Sequence, residues 1–181
     1  MDEQEAIRLS KNGNGRGFRA IFQRYARYLY TLAFRILKDP QLAEDAVQEC
    51  MLSVFRSLNQ FQGKSRFKTW LYTILYRASL KIKKKRAFEV QTTVVDFNGI
   101  DRRLSTTESR LDVKKIMDRL SEKERAVLIM AYWDDLSCNE IGEVMGLKGN
   151  HVKILLFRAR KHFLEQWNYI DIDRGENNGV H

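Results

Sequence analysis

Asp39-Pro-Gln-Leu-Ala-Glu-Asp-Ala-Val-Gln-Glu-Cys-Met-Leu-Ser-Val-Phe-Arg56 carries a helix start at its head and an amphipathic pattern along its length. Asp39 suits an N-cap. Pro40, the only proline in the chain, suits the first helical position, where a backbone N–H would lack a partner anyway. Ala43, Val47, Cys50 and Val54, continued by Leu58 and Phe61, recur every three or four residues, so one face is core. The opposite face carries Glu44, Asp45, Gln48 and Glu49 in a protein whose net charge is +9. Acceptors gathered against the overall charge suit a basic protein partner rather than DNA.

Helical patterns extend on both sides of this segment. Residues 3–11 read as a short helix, Asn12-Gly-Asn-Gly15 as a loop, and the stripe Phe18, Ile21, Phe22, Tyr25, Leu29, Leu32, Ala33 and Ile36 as a long helix from about Gly17 to Leu37. The acid-faced helix is predicted from Pro40 to about Asn59. Phe61-Gln-Gly-Lys-Ser65 breaks it, and a further helix runs from near Ser65 to the basic cluster Lys83-Lys-Lys-Arg86. Residues 1–90 thus form one helical domain. Between Gln91 and Thr107 the periodicity dissolves into Thr, Ser, Asp, Asn and Gly, as expected of a flexible linker.

A second helical domain is predicted over 108–170. Ser121-Glu-Lys-Glu124 and Ser137-Cys-Asn-Glu140 are both capping boxes and mark two helix starts. Ile141, Val144, Met145 and Leu147 are the apolar side of a short helix, Gly146–Asn150 is a tight connection, and Val152, Leu156, Ala159 and Phe163 line a second helix. Short helix, tight turn and longer helix is the helix-turn-helix layout. Residues 171–181 read as a polar tail. The fold class is therefore all-α, two small helical domains on a flexible connection.

Charge separates the two halves. Residues 1–91 hold 18 Lys/Arg against 8 Asp/Glu, and residues 92–181 hold 14 against 15. Residues 64–86 contain nine Lys/Arg and no acid, interleaved with Phe67, Trp70, Tyr72 and Tyr76. Cations track a phosphate backbone and aromatics stack on unpaired bases, so this run suits single-stranded nucleic acid. Residues 148–161 are likewise free of acid and carry Lys148, Lys153, Arg158, Arg160 and Lys161. Cys50 and Cys138 lie far apart on apolar faces, the pattern of thiols in a reducing compartment rather than of a disulfide or a metal pair. His151 has no partner at metal-ligand spacing. The acidic, polar N-terminus is unlike a signal peptide, and no apolar run approaches the roughly 18 residues of a membrane span. A soluble, cytoplasmic protein without cofactor, metal or small-molecule substrate is expected.

Two blocks carry a resemblance. Ala43-Glu44-Asp45-Ala46-Val47-Gln48-Glu49, followed by Leu58-Asn59-Gln60-Phe61-Gln62-Gly63-Lys64-Ser65-Arg66-Phe67-Lys68-Thr69-Trp70-Leu71-Tyr72, resembles the second conserved region of bacterial sigma factors of the extracytoplasmic-function (ECF) group. Leu120 to Lys161, from Leu-Ser-Glu-Lys-Glu-Arg to Phe-Arg-Ala-Arg-Lys, resembles their fourth conserved region. The resemblance implies a non-catalytic protein that binds core RNA polymerase and directs it to promoters. It implies that Asp45, Gln48, Glu49, Leu52 and Arg56 dock on the polymerase clamp helices, with the second domain near the flap. Phe61, Gln62, Lys64, Ser65, Phe67, Trp70 and Arg77 would then serve the −10 element, although Trp70 lies on the apolar side of its helix. Lys148, Asn150, His151, Lys153, Ile154, Arg158 and Lys161 would serve the −35 element. The same resemblance implies an anti-sigma protein, often membrane-anchored in the family. The tail is too short for a further domain, so this regulator is expected to be a separate chain.

The chain departs from the family at four of these helix positions. Arg77 stands where Asn is common, Lys81 where Asp is common, and Ile154-Leu155 where Ser-Arg is common. A different −35 sequence, weaker dependence on it, or a protein packed on Ile154 and Leu155 follows from the last change. Two other classes compete. A helix-turn-helix regulator would bind duplex DNA without polymerase. A nucleic-acid enzyme would need a metal cluster, a phosphate loop or paired inward acids, and the sequence offers none of these.

Overall fold

The computed structural model describes residues 1–92 and 108–177. These form eight α-helices and one short 3-10 turn, with no strand among the described residues. They are α1 (Glu3–Lys11), α2 (Gly15–Leu37), α3 (Pro40–Ser57), the 3-10 turn Leu58–Gln60, α4 (Phe67–Thr92), α5 (Glu108–Arg119), α6 (Glu122–Tyr132), α7 (Cys138–Met145) and α8 (Gly149–Asn177).

Local chemistry sets the boundaries. The Asp39 carboxylate accepts from the Leu42 N–H at 2.9 Å, and Pro40 opens α3. Both expected capping boxes form: Ser121 and Glu124 exchange bonds at the head of α6, as do Ser137 and Glu140 at the head of α7. Gly63, at φ 73°, takes the left-handed conformation that turns the chain between α3 and α4. Gly146, at φ 69°, ends α7 in the same way.

The first helices close around a core of Leu29, Ile36, Cys50, Val54, Leu71 and Leu75, with α2, α3 and α4 in mutual contact and α1 laid on α2. Gly17 permits that approach, because a Cβ there would stand 2.6 Å from the Ala6 carbonyl oxygen. In the second group α5, α6 and α7 all pack on α8, burying Val127, Met130, Ile141, Val152 and Ala159. The two groups also touch each other, α7 against α4 and α6 against α2.

Two expectations need adjustment. The polar tail expected at 171–181 is helical as far as Asn177. Side-chain contacts brace the turns of α8 that precede it: Arg119 of α5 donates to Gln166 at 2.9 Å and lies over the Tyr169 ring, and Phe163 stacks on Trp167 one turn later. Of the linker expected at 91–107, Gln91 and Thr92 belong to α4, and the rest lies outside the described residues.

Candidate functional site

The acid-bearing face of α3 is exposed along its length. Asp45, Gln48, Leu52 and Arg56 face solvent at i, i+3, i+7 and i+11, and Glu49 is half-buried between them. Asp45, Gln48, Glu49 and Leu52 line a shallow groove of about 490 Å³ with Lys81 and Ile82 of α4, and Arg56 does not line it. Lys81 lies 3.2 Å from the Glu49 carboxylate, so one of the predicted acceptors already has a cationic neighbour. Leu52 is 50 % exposed and Phe55 67 % exposed, which gives this face an apolar centre. Phe55 has no part in the sequence-based list, although its place seven residues after Gln48 puts it on this same face. Its ring rests edge-on against Phe18 at 5.2 Å and leaves its outer side open.

The loop between the 3-10 turn and α4 frames a second cavity, of about 590 Å³. Phe61, Gln62, Ser65 and Phe67 contribute to its wall. So do Glu3, Ile7 and Lys11 of α1, which sequence reasoning had given no part. Lys11 donates to the Phe61 carbonyl at 2.5 Å, and Tyr25 donates to the Glu3 carboxylate. Burial, with that carboxylate next, pushes the Tyr25 phenol well above its ordinary range, so it stays a neutral donor. Phe61, Phe67 and Trp70 cluster with ring centroids 5.2–5.7 Å apart, Phe61 edge-on to Phe67 and tilted against Trp70, and Phe67 stacked on Trp70. Phe67 is only 4 % exposed, so it supports Phe61 from behind. Gln62 and Lys64 point to solvent. Arg77 is exposed two turns beyond Trp70 on the same side of α4 and does not line the cavity.

Part of the basic run that follows is occupied by the other helical group. Arg66 clasps the Glu140 carboxylate through Nε at 2.5 Å and Nη2 at 2.7 Å, and Thr69 adds a bond at 3.1 Å. Lys68 lies 3.4 Å from the Asp134 carboxylate, which also accepts from the Tyr72 hydroxyl at 2.8 Å. Lys83 pairs with Glu122. The Arg66 guanidinium, against the opposing effect of burial and helped by Ser137 and Thr69, pulls the Glu140 carboxyl down to about 2. Lys64 and Arg77 make no ion pair with described residues.

The helix-turn-helix unit is α7, the turn at Gly146–Lys148 and α8. Its tightness rests on Gly142, where a Cβ would meet the Leu147 carbonyl oxygen at 2.6 Å, whereas at Gly149 a Cβ would meet only the movable side-chain oxygen of Asn139. Val152, Leu156 and Ala159 are buried as their spacing predicts. Lys148, Asn150, His151, Lys153, Ile154, Arg158 and Lys161 are all exposed. Leu155 turns back toward the core while Ile154 points outward, so the two apolar residues do not act together. Phe157, 67 % exposed, joins Ile154 on the outer face and is absent from the residues expected from sequence.

No described helix is long and apolar enough to cross a membrane. Cys50 is buried and its thiol is pushed up to about 12 by burial, so it is inert at neutral pH.

Residues 21–89 match the family model for sigma-70 region 2, and residues 110–163 match that for sigma-70 region 4. The chain is 27 % identical over 179 residues to the ECF RNA polymerase sigma factor SigW of Bacillus subtilis, covering 90 % of this chain and 95 % of that protein. It is 30 % identical over 136 residues to the RNA polymerase sigma factor SigV of the same organism, covering 73 % of this chain and 80 % of that protein. Among solved structures, the sigma factor RpoE in complex with the anti-sigma factor NepR from Bartonella quintana aligns with a TM-score of 0.72 at 23 % identity. That alignment covers 83 % of this chain and 96 % of RpoE. CnrH in complex with the cytosolic domain of CnrY aligns with a TM-score of 0.68 at 18 % identity, covering 92 % and 97 %.

Proposed function

The chain belongs to the ECF group of the sigma-70 family, binding core RNA polymerase to direct promoter-specific initiation, and on that premise we propose which of its surfaces performs each part. Residues 1–90 act as the unit for polymerase docking and the −10 element, residues 108–170 as the unit for the −35 element, and 91–107 as the tether. Asp45, Gln48, Glu49, Leu52 and Arg56 dock on the clamp helices, around the apolar centre of Leu52 and Phe55. Exposed acids steer and orient a basic partner, and the apolar pair supplies affinity once water is excluded.

The cavity beside Phe61 takes an unstacked base of the −10 element. Unstacking costs a few kcal/mol, and an aromatic wall with polar groups at its rim offsets it. Phe61 gives the stacking face, Gln62 and Ser65 the edge contacts, and Lys64 a phosphate contact. Phe67 and Trp70 hold Phe61 in place, and Arg77 lies further along the strand's path. Lys148 in the turn and Lys153, Arg158 and Lys161 on α8 hold phosphates of the −35 duplex, while Asn150 and His151 reach base edges. None of these steps makes or breaks a covalent bond, and we assign the protein no catalytic role. It works in the cytoplasm, where the polymerase is, and an anti-sigma protein covers the same surfaces to silence it.

The observation that carries this reading is that the seven side chains chosen from sequence for −35 contact all lie exposed, Lys148 in the turn and the other six on the second helix of a helix-turn-helix. An independent duplex-binding regulator would have no use for a sigma-70 region 2 over residues 21–89. Run-off transcription with core polymerase over a genomic template library tests the proposal. Transcripts that start at defined promoters only when this protein is added are expected, and their absence from every template would refute it.

A further inference from the structure

The exposed apolar residues of α8, Ile154 and Phe157, are not explained by phosphate contacts. Val152, Leu156 and Ala159 point into the core. At 100° per residue, Asn150, Ile154, Phe157 and Lys161 form the line opposite them. This is the line that projects furthest toward a groove filled by the helix. Ile154 sits at its centre and is 52 % exposed. Lys153 flanks it on one side and Arg158 on the other, both exposed.

Single exposed apolar residues are ordinary on protein surfaces. This one differs in its place, since the cations around it bring a duplex against it. Isoleucine has neither donor nor acceptor, so it cannot satisfy the amino group of cytosine or adenine, nor the keto oxygen of guanine. The only apolar group on the base edges of the major groove is the thymine 5-methyl. The β-branched side chain is stiff at χ1 in a helix, so its methyl surface is presented in a fixed direction. We propose that Ile154 is a specificity determinant that reads a thymine methyl in the −35 element. This rests on α8 being the −35 reader.

The test uses holoenzyme assembled from the full chain and core RNA polymerase, transcribing a library of duplex promoters randomised across the −35 region. Templates enriched by the wild-type protein are expected to share a T·A pair at one position. Replacing that thymine by deoxyuridine removes only the methyl. It should lower subsaturating transcript yield about fourfold, which corresponds to about 0.8 kcal/mol for one buried carbon. Ile154→Ala holoenzyme should treat the two templates alike. Wild-type holoenzyme that transcribes equally from thymine and deoxyuridine templates at every enriched position overturns the inference and leaves the sigma-factor assignment standing. No transcript from any template overturns both. The wild-type comparison needs no variant, so it can overturn the inference even if the alanine chain does not fold. Should that chain fail, Ile154→Val, which removes one methylene, should narrow the difference between the two templates, and an unchanged difference would overturn the assignment to Ile154.

Discussion

Arg125 shows what one buried charge does here. It is 6 % exposed on α6 and donates to the Met117 carbonyl at 3.0 Å, the Leu120 carbonyl at 3.3 Å and the Ile36 carbonyl at 3.2 Å. The first two lie at the end of α5 and the third in the last turn of α2, where carbonyls lack helical partners. One guanidinium thus closes two helix ends and spans both helical groups. Burial pulls its pKa below the ordinary range, but a guanidinium remains charged at any accessible pH. Arg125→Ala should destabilise the protein by about 2–4 kcal/mol, since buried acceptors left unpaired cost about 1–3 kcal/mol each and partial relaxation recovers some of that. Urea unfolding followed by circular dichroism measures it, and a change below 1 kcal/mol would mean that water replaces the guanidinium freely.

At the scale of elements, α3 and α8 divide inside from outside in the same way but turn opposite charge outward. For α3, changing Asp45 and Glu49 together to Lys should weaken core polymerase binding at least tenfold, about 1.4 kcal/mol, while helix content stays unchanged. Asp45 should carry more of that loss, because Lys81 already neutralises part of Glu49. Surface plasmon resonance with immobilised core enzyme measures both single variants and the pair, and unchanged affinity would remove this face from the docking surface. For α8, replacing Lys153 and Arg158 by Ala should flatten the salt dependence of promoter binding by about 0.9 log unit per lost phosphate contact. A slope that does not move would show that neither residue touches phosphate.

The whole molecule packs acids of the second helical group onto the basic start of α4. Glu140 links the pieces most directly, since it closes the capping box of α7 and grips Arg66. Its carboxyl is held at about 2, below the ordinary 4.5 it takes when unfolded. A depressed carboxylate contributes stability that is complete above the unfolded pKa and fades as pH falls through the folded one. Glu140→Gln keeps the helix cap and loses the charge pair. Its melting temperature should lie below that of the wild type at pH 7, and the gap should narrow between pH 4.5 and about 2 as the wild type loses its advantage. A gap independent of pH would show that the Arg66–Glu140 pair does not hold the two groups together. Much of this pair is near solvent, so the effect at neutral pH should be modest.

Sequence alone determined whatever depends on neighbours a few residues apart. The cap at Asp39, both capping boxes, the left-handed turn at Gly146 and the buried stripe Val152, Leu156 and Ala159 are consequences of local hydrogen bonding and of the helical period, so they could be read from residue order. The helical class followed, and with it the two stretches that belong to the sigma-70 family. Tertiary structure decided what depends on residues remote in sequence meeting in space. Only there does Glu140 meet Arg66 and Arg125 reach Ile36, and only there does α1 help to wall the cavity beside Phe61. Phe55, seven residues after Gln48, and Phe157, three after Ile154, both fall on outward faces by the helical period, and both are largely exposed. A helical pattern says which side a residue is on, but whether that side is covered is settled by the other helices that pack there.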